Sequence, residues 1–499
     1  GTYVKASWEG HRDADDSGND LLRVNANELR CRSVGEGGNL GFTHNARIEY
    51  ALGGGRINND AVDNSGGVDM SDHEVNLKIL LTHPVKDGRL TERRRNNLIE
   101  KLTEQIAQQV LLNNHSHSRQ LSLDQIRSTR NPFPFSRAIQ WVSEETGLSL
   151  DALGLPDSDT IAKRAELHLG LTRPELAVLG AYVKLRGQQF LDEADPAQIP
   201  GSDERLLGYF VPEIRKTYRD DIPKHMLADN IKMMLALNEM VEDVGAVPLP
   251  LLMDLSDRPM VDIIGAWFRC SQAVGFDALR DAIGNAKAPL ETRYQAWVLA
   301  TDSIFGMLAT ALGPGQELPT DENVAMTLEV LSSLPRRRGR ADRTRIDDIS
   351  NNMRQKGLSS TLASRVANLV DLTIAREIAM IRTEMGDSVR DAIVRYLAIG
   401  NASGLLPAIH RIERRRGAGQ WDQLAIGILR SRYVSLLREL VLRTPMDTEL
   451  KLGVDRAIFR LGRGALSSIG KTVEVIVGEG ASVGALLVAE ERIRAAVLR

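Results

Sequence analysis

GEGGNLGFTHNARIEYALGGGRINNDAVDNSGGVDMSDHEVNLKILL, residues 35–81, is the stretch whose reading decides the fold. Gly35 to Gly41 forms a turn after a basic, strand-like run that ends at Val34. Ala46, Tyr50 and Ala51 fall near helical spacing, so Asn45 to Leu52 reads as a short helix. Gly53–Gly55 breaks it, and Arg56–Ile57 reads as a brief strand. The loop DNSGGV (63–68) then leads to SDHEVNLKILL, read as a helix start. Short strands alternating with helices predict an α/β arrangement.

The chain changes character beyond this stretch. Residues 1–85 are rich in Gly, Asn and Asp, but from about Arg89 helical signals dominate. Leu98, Leu102, Ile106 and Val110 repeat every four residues along one face, and Leu362, Val366, Leu369 and Thr373 keep similar spacing. No fixed repeat period is present, which disfavours a regular solenoid. The expected fold is mainly α with an α/β N-terminal part. The end of a Rossmann-like dinucleotide-binding domain (1–88) is followed by a large all-helical domain (89–499), with two helical blocks divided near 320–345.

Bulk properties narrow the function classes. Hydrophobic residues make up 42% of the 499, charged residues 26% and aromatics only 4%, which suits helix packing in a water-soluble protein. The net charge of −3 advertises neither nucleic acid nor an anionic membrane as partner. Cys31 and Cys270 are too far apart to suggest a disulfide framework or thiolate metal site, so a reducing cytoplasmic compartment is expected. No apolar run approaches the roughly 20 residues that span a bilayer. GTYVKASWEG at the N-terminus has no signal-peptide features, and its missing Met points to a piece of something longer.

The chemistry concentrates between Gly35 and Glu74. Glycines after short strands let backbone N–H groups approach a ligand closely, and ligands bind beyond the carboxyl ends of strands in doubly wound sheets. Asn39 and Asn64 supply uncharged donors and acceptors suited to a carboxamide or ribose. Ser71 with Glu74 three residues on fits a capping box, so Ser71 reads as a helix cap. A helix N-terminus also favours an anionic carboxylate, so a substrate-binding reading stands beside it.

EGGN, then a helix, a short strand and NSGGVDMS, resembles the closing part of the nucleotide domain in the amino-acid dehydrogenase superfamily. In that family an E-G-A-N turn precedes an N-A-G-G-V loop, with a serine seven residues after the Asn; Asn64 and Ser71 stand at that separation. The wording from GTYVKAS to ILL, and RPELAVLGAYVK (173–184) further on, is similar to the large bacterial NAD-specific glutamate dehydrogenases. The resemblance implies NAD-dependent oxidative deamination of L-glutamate to 2-oxoglutarate and ammonium. It would put Asn39 and Asn64 near the nicotinamide and its ribose, with Gly66 and Gly67 giving backbone room. Ser71 would hold the substrate α-carboxylate, and Thr2 would stand beside the nicotinamide carboxamide.

The departures carry equal weight. The G-x-G-x-x-G fingerprint is absent, and GEGGNLG does not replace it because no ordinary βαβ unit with a ribose-binding acid follows. The family's catalytic Lys and Asp map to no residue here and are expected upstream, so the catalytic set within this chain is empty and the polypeptide alone is expected to be inactive. The alternative reading is a non-catalytic α-helical interaction or oligomerisation module. Amphipathic helices in such number offer surface for a homo-oligomer, expected as a tetramer or hexamer.

Other features read plainly. His115 and His117 lack a completing carboxylate or Cys pattern for a metal and read as a solvated helix end. NNDAVDNSGGVDMSD fails the spacing of a calcium loop, so no metal is expected. Arginines 336–338 and the run RIERRRGAGQW (411–421) read as solvated faces, Lys78 and Lys86 as surface charge, and the two cysteines as plain buried or half-buried thiols.

Overall fold

Thr43 starts the first helix. Its Oγ1 accepts the Ala46 N–H at 3.1 Å, and α1 (His44–Leu52) runs from there to Gly53. The computed structural model describes residues 1–38, 40–313, 316–413, 415, 420–445, 453–461, 466–476 and 482–497. The chain forms two compact units, Gly1–Gly265 and Ala266–Arg499. Most of the described residues are helical.

Strands are short and confined to the N-terminal region among the described residues. β1 (Val4–Lys5) pairs in parallel with β2 (Val24–Asn25), and parallel bridges join Val4 to Phe42 and Ser33 to Arg56. Apolar runs of two or three residues, cut by Gly, Asn and Asp, leave no length for more. A ribbon this small does not hold itself together in water. Val4, Ala26, Ala46, Tyr50 and Ile57 bury one another and fasten it onto α1.

The next helices correct one expectation. After α2 (Asp60–Asp63), helix α3 runs unbroken from Ser65 to Lys86, so it starts six residues before Ser71. Ser71 is therefore not a cap. NSGG reads as a loop by composition, yet tertiary contacts recruit it into helix. Asn114 Nδ2 donates to Ser65 Oγ at 2.8 Å and to the Val62 carbonyl at 2.9 Å. Gly66 faces Val110, with space for a Cβ at 3.5 Å from Val110 Cγ1. These contacts outweigh the roughly 1 kcal/mol that each glycine costs a helix.

The partner in those contacts is α4 (Glu92–Arg130), 39 residues long and capped by Thr91. Leu102, Ile106 and Val110 on it join Leu77, Leu80 and Leu81 of α3 in one core, with Leu98 packed at the margin. Around this pair stand α5 (Arg173–Leu191), α6 (Ser202–Tyr209) and α7 (Ala228–Val244). The segment RPELAVLGAYVK lies in α5, opened by a capping box between Thr172 and Glu175. Where α7 ends, Gly245 takes φ +91° and the Ala246 N–H donates to the fully buried carboxylate of Asp124 at 3.0 Å.

The division between the units falls within α8 (Met260–Val274). The second unit contains α9 (Leu290–Ala311), α10 (Asp321–Ser333), α11 (Ser360–Leu369), α12 (Leu372–Met385), α13 (Val389–Ala402), α14 (Leu405–Glu413) and α15 (Gln420–Arg443), with shorter helices between and after them. Thr373 does not continue the stripe of Leu362, Val366 and Leu369, because the helix breaks before Asp371. That break turns the Asp371 carboxylate inward, where Arg338 (2.6 Å) and Arg345 pair with it. Arg338 is therefore buried, against the expectation of a solvated face, while Arg336 is exposed as expected. Much of RIERRRGAGQW lies outside the described residues.

No single helix among the described residues is long and apolar enough to cross a membrane. One pair, α13 with α14, passes that test jointly but is bent by 82°, and both helices are largely buried within their unit.

Candidate functional site

Four of the residues picked from the sequence meet at the start of α3. Asn64 links α2 to α3, Gly66 and Gly67 form the first turn, and Ser71 lies one turn further on. The Asn64 side chain does not cap the helix, so the first N–H groups of α3 carry no side-chain acceptor from it. Gly67 is exposed, and a Cβ there would stand 3.0 Å from Asn64 Oδ1. Ser71 is exposed too, its hydroxyl engaged only by a long 3.4 Å hydrogen bond to the Gly67 carbonyl. The face of α3 carrying Gly67 and Ser71 also exposes Val68 and Val75, while Leu77, Leu80 and Leu81 face the core.

The Gly-rich turn is tied to the same place. The Glu36 N–H donates to Asp63 at 3.0 Å and the Leu40 N–H to Asp60 at 3.3 Å, so both bonds end on α2, just before Asn64. The Glu36 carboxylate pairs with the buried Arg47, which also donates to the Asn58 carbonyl. Leu40 adopts φ +63°, a left-handed conformation that costs a leucine about 1 kcal/mol. Asn39 itself lies outside the described residues. Thr2 is buried beside β1, where its N–H donates to Asp16 at 2.6 Å and its carbonyl accepts from Arg23 at 2.9 Å. That N–H, with Asn19, holds the Asp16 carboxyl below its ordinary value. Thr2 and the start of α3 share no hydrogen bond among the described residues.

A cavity of about 1020 Å3 within the first unit is reached by Asn64, by Val68, Asp69, Asp72 and Asn76 from α3, by His117 from α4 and by Glu242 from α7. Composition alone missed most of these residues. His115 and His117 lie inside α4, not at a helix end, and point to different sides; His115 is exposed. His117 Nε2 stands 3.2 Å from Glu242, which also pairs with Lys184 at 3.0 Å. Burial pushes the Glu242 carboxyl up, but Lys184 and His117 together outweigh it and bring it from 4.5 to about 2. On the core side of α3, His73 stacks on Tyr209 with ring centres 4.4 Å apart. Burial lowers the His73 pKa and pushes the Tyr209 hydroxyl to about 12, although Asn76 donates to that hydroxyl at 2.8 Å.

A signal for this cavity was present in the sequence. The apolar stripe Leu102–Ile106–Val110 continues along the same face of α4 as Asn113, His117, Gln120 and Asp124. Polar residues that prolong an inward stripe mark either a polar core or a cavity wall, and here they do both. Gln120 and Asp124 are buried, whereas Asn113 and His117 line the cavity.

The remaining candidates resolve simply. Lys78 is a surface residue paired with Glu74 at 2.6 Å, and Lys86 is exposed. Cys31 is exposed, rather than buried, and Cys270 is buried with its thiol pushed up to about 12. No group of three or more His, Cys, Asp or Glu among the described residues is placed to hold a metal. Chemically, the exposed start of α3 offers backbone N–H groups, an amide and a hydroxyl. These can bind and orient an anionic or carboxamide-bearing ligand, with no acid or base among them.

Comparisons with known proteins bear on this arrangement. A family model for the catalytic domain of bacterial NAD-glutamate dehydrogenase matches residues 1–124, and one for the C-terminal part of glutamate dehydrogenase matches residues 168–451. The NAD-specific glutamate dehydrogenase of Mycobacterium tuberculosis is 39% identical over 248 residues, 49% of this chain and 15% of that protein. That of Halomonas elongata is 36% identical over 299 residues, 59% of this chain and 18% of that protein. The Pseudomonas aeruginosa protein of the same name is 37% identical over 270 residues, 54% of this chain and 16% of that protein. The matched stretches thus cover less than a fifth of the length of these relatives.

Proposed function

The chain belongs to the bacterial NAD-glutamate dehydrogenase family, and on that premise we propose that it is the C-terminal segment of an enzyme that deaminates L-glutamate to 2-oxoglutarate and ammonium with NAD. The observation that carries this reading is the exposed face of α3. There the N-S-G-G-V…S pattern presents a helix start without a side-chain cap, an exposed backbone at Gly67 and a Ser71 hydroxyl held only by a long hydrogen bond. Such a surface suits a ligand completed from outside this chain.

When bound, NAD would supply the hydride acceptor for the glutamate α-carbon. Water then adds to the resulting imine and ammonium leaves. The residues here orient the reactants. Ser71 donates to the α-carboxylate. Asn64 and Asn39 hold the nicotinamide and its ribose. Gly67 keeps a side chain out of the way, Gly66 lets the same turn pack closely on α4, and Thr2 sits beside the carboxamide. Positioning of this kind makes hydride transfer geometrically productive. The acid–base Lys and Asp belong to a part of the enzyme outside this chain. Residues 1–88 are the closing portion of its Rossmann-like dinucleotide domain, and 89–499 a helical domain. The enzyme works in the cytoplasm as a homo-oligomer, a tetramer or hexamer.

The test is NADH oxidation by the intact enzyme with 2-oxoglutarate and ammonium. Ser71→Ala should raise the KM for 2-oxoglutarate about tenfold or more, matching roughly 1.4 kcal/mol for a hydrogen bond to a charged group. Asn64→Ala should weaken NADH. Full activity in both variants would remove these residues from the site. Absence of activity in the unaltered enzyme would leave a helical interaction module.

A further inference from the structure

The second unit holds a cavity of its own, about 390 Å3, bounded by α8, α9, α10, α12 and α15. That volume lies within the roughly 300–1000 Å3 typical of small-molecule pockets. Its apolar lining is rich in sulfur, with Met307, Met326, Met380 and the Cys270 thiol. Methionine walls are soft and adapt to the shape of an occupant. Cys270 is neutral at ordinary pH, so it adds no charge to the lining.

Two guanidinium groups, Arg376 and Arg438, and two carboxylates, Glu317 and Glu384, line the same cavity. Arg376 donates to Glu377 at 2.7 Å and to Gln316 at 3.0 Å. Arg438 pairs with Glu384 and contacts Met380 Sδ at 3.7 Å. Both are largely withdrawn from solvent, with side chains 13% and 21% exposed. An arginine has five N–H donors, and these contacts commit two on each. Glu384 is 42% exposed in the last turn of α12, so its side chain can turn into water when an anion replaces it. Guanidinium pairs bind carboxylates well and repel cations.

We propose that this cavity is a binding site for a compact apolar monocarboxylate, its chain among the methionines and its carboxylate between Arg376 and Arg438. The lining residues all belong to the second unit, and the proposal does not depend on the reading of the α3 surface.

Titration calorimetry on the 499-residue chain tests it with octanoate and, as the uncharged counterpart, octan-1-ol. Octanoate should bind at one site and octan-1-ol at least tenfold more weakly. Arg438→Gln should cost octanoate at least tenfold and leave octan-1-ol unchanged. Two space-filling changes in the lining, Ala311→Phe and Thr383→Trp, should each remove binding; Thr383 is exposed, so that variant keeps the test usable if the buried substitution unfolds the chain. Four outcomes would each overturn the proposal: equal binding of octan-1-ol, an unaffected Arg438→Gln, octanoate binding undiminished in a folded space-filling variant, or no octanoate binding at millimolar concentration.

Discussion

Ser71 shows how one residue's surroundings separate two roles that its sequence leaves open. It lies inside α3 with an exposed hydroxyl, so Ser71→Ala deletes no cap and substitutes a better helix former. Urea unfolding of the 499-residue chain should move by less than about 0.5 kcal/mol, whereas losing a true cap costs about 1 kcal/mol. An unaltered stability beside a raised KM in the intact enzyme separates a ligand contact from a structural one. Glu242 makes a pH-dependent case at the same scale. Its folded carboxyl titrates near 2 and its unfolded one near 4.5, so the unfolded state binds the extra proton between those values. The stability it contributes is present above about pH 4.5 and fades as pH falls toward 2. Glu242→Gln should therefore cost on the order of 2 to 3 kcal/mol at pH 7 and progressively less in acid. A cost independent of pH would remove Lys184 and His117 as its stabilising partners.

At the scale of elements, the first turn of α3 contains two glycines that differ in what they face. A methyl group at Gly66 meets Val110 at ordinary contact distance, so Gly66→Ala should stabilise the helix by about 0.5 to 1 kcal/mol. At Gly67 the same methyl presses on the Asn64 amide, so Gly67→Ala should gain less and should impair NADH binding in the intact enzyme. Equal effects at both positions would mean that Asn64 moves aside freely. The end of α7 is less forgiving. Gly245 holds φ +91°, and a Cβ there would fall 1.9 Å from Asp124 Oδ1, the carboxylate that accepts the Ala246 N–H. Gly245→Ala should destabilise the chain by on the order of 3 kcal/mol in urea unfolding.

For the whole molecule, each unit contains a buried polar network of its own. Asp124 is held by Gln120, Arg127 and Ala246, while Arg338 is held by Asn368 and Asp371. Arg338→Leu leaves Asp371 buried with one arginine fewer and should cost on the order of 3 kcal/mol. Because they share no partner, Gly245→Ala and Arg338→Leu should combine additively to within about 0.5 kcal/mol. A larger coupling, measured by unfolding the double variant, would mean that the two networks communicate.

The sequence by itself determined whatever depends on local pattern. The four-residue stripe on α4 placed its apolar face, the helical spacing of Ala46, Tyr50 and Ala51 marked α1, and the spacing from Asn64 to Ser71 carried the family resemblance. Only the tertiary structure decided where α3 begins, because Asn114 and Val110 lie far along the chain and together recruit Ser65–Gly67 into the helix. It alone buried Arg338 and turned His117 from a stray histidine into a partner of Glu242, since both outcomes need a charge on a distant helix. Local propensity is written residue by residue, but the free energy of burying a polar group depends on what meets it, and that is known only once the chain has folded.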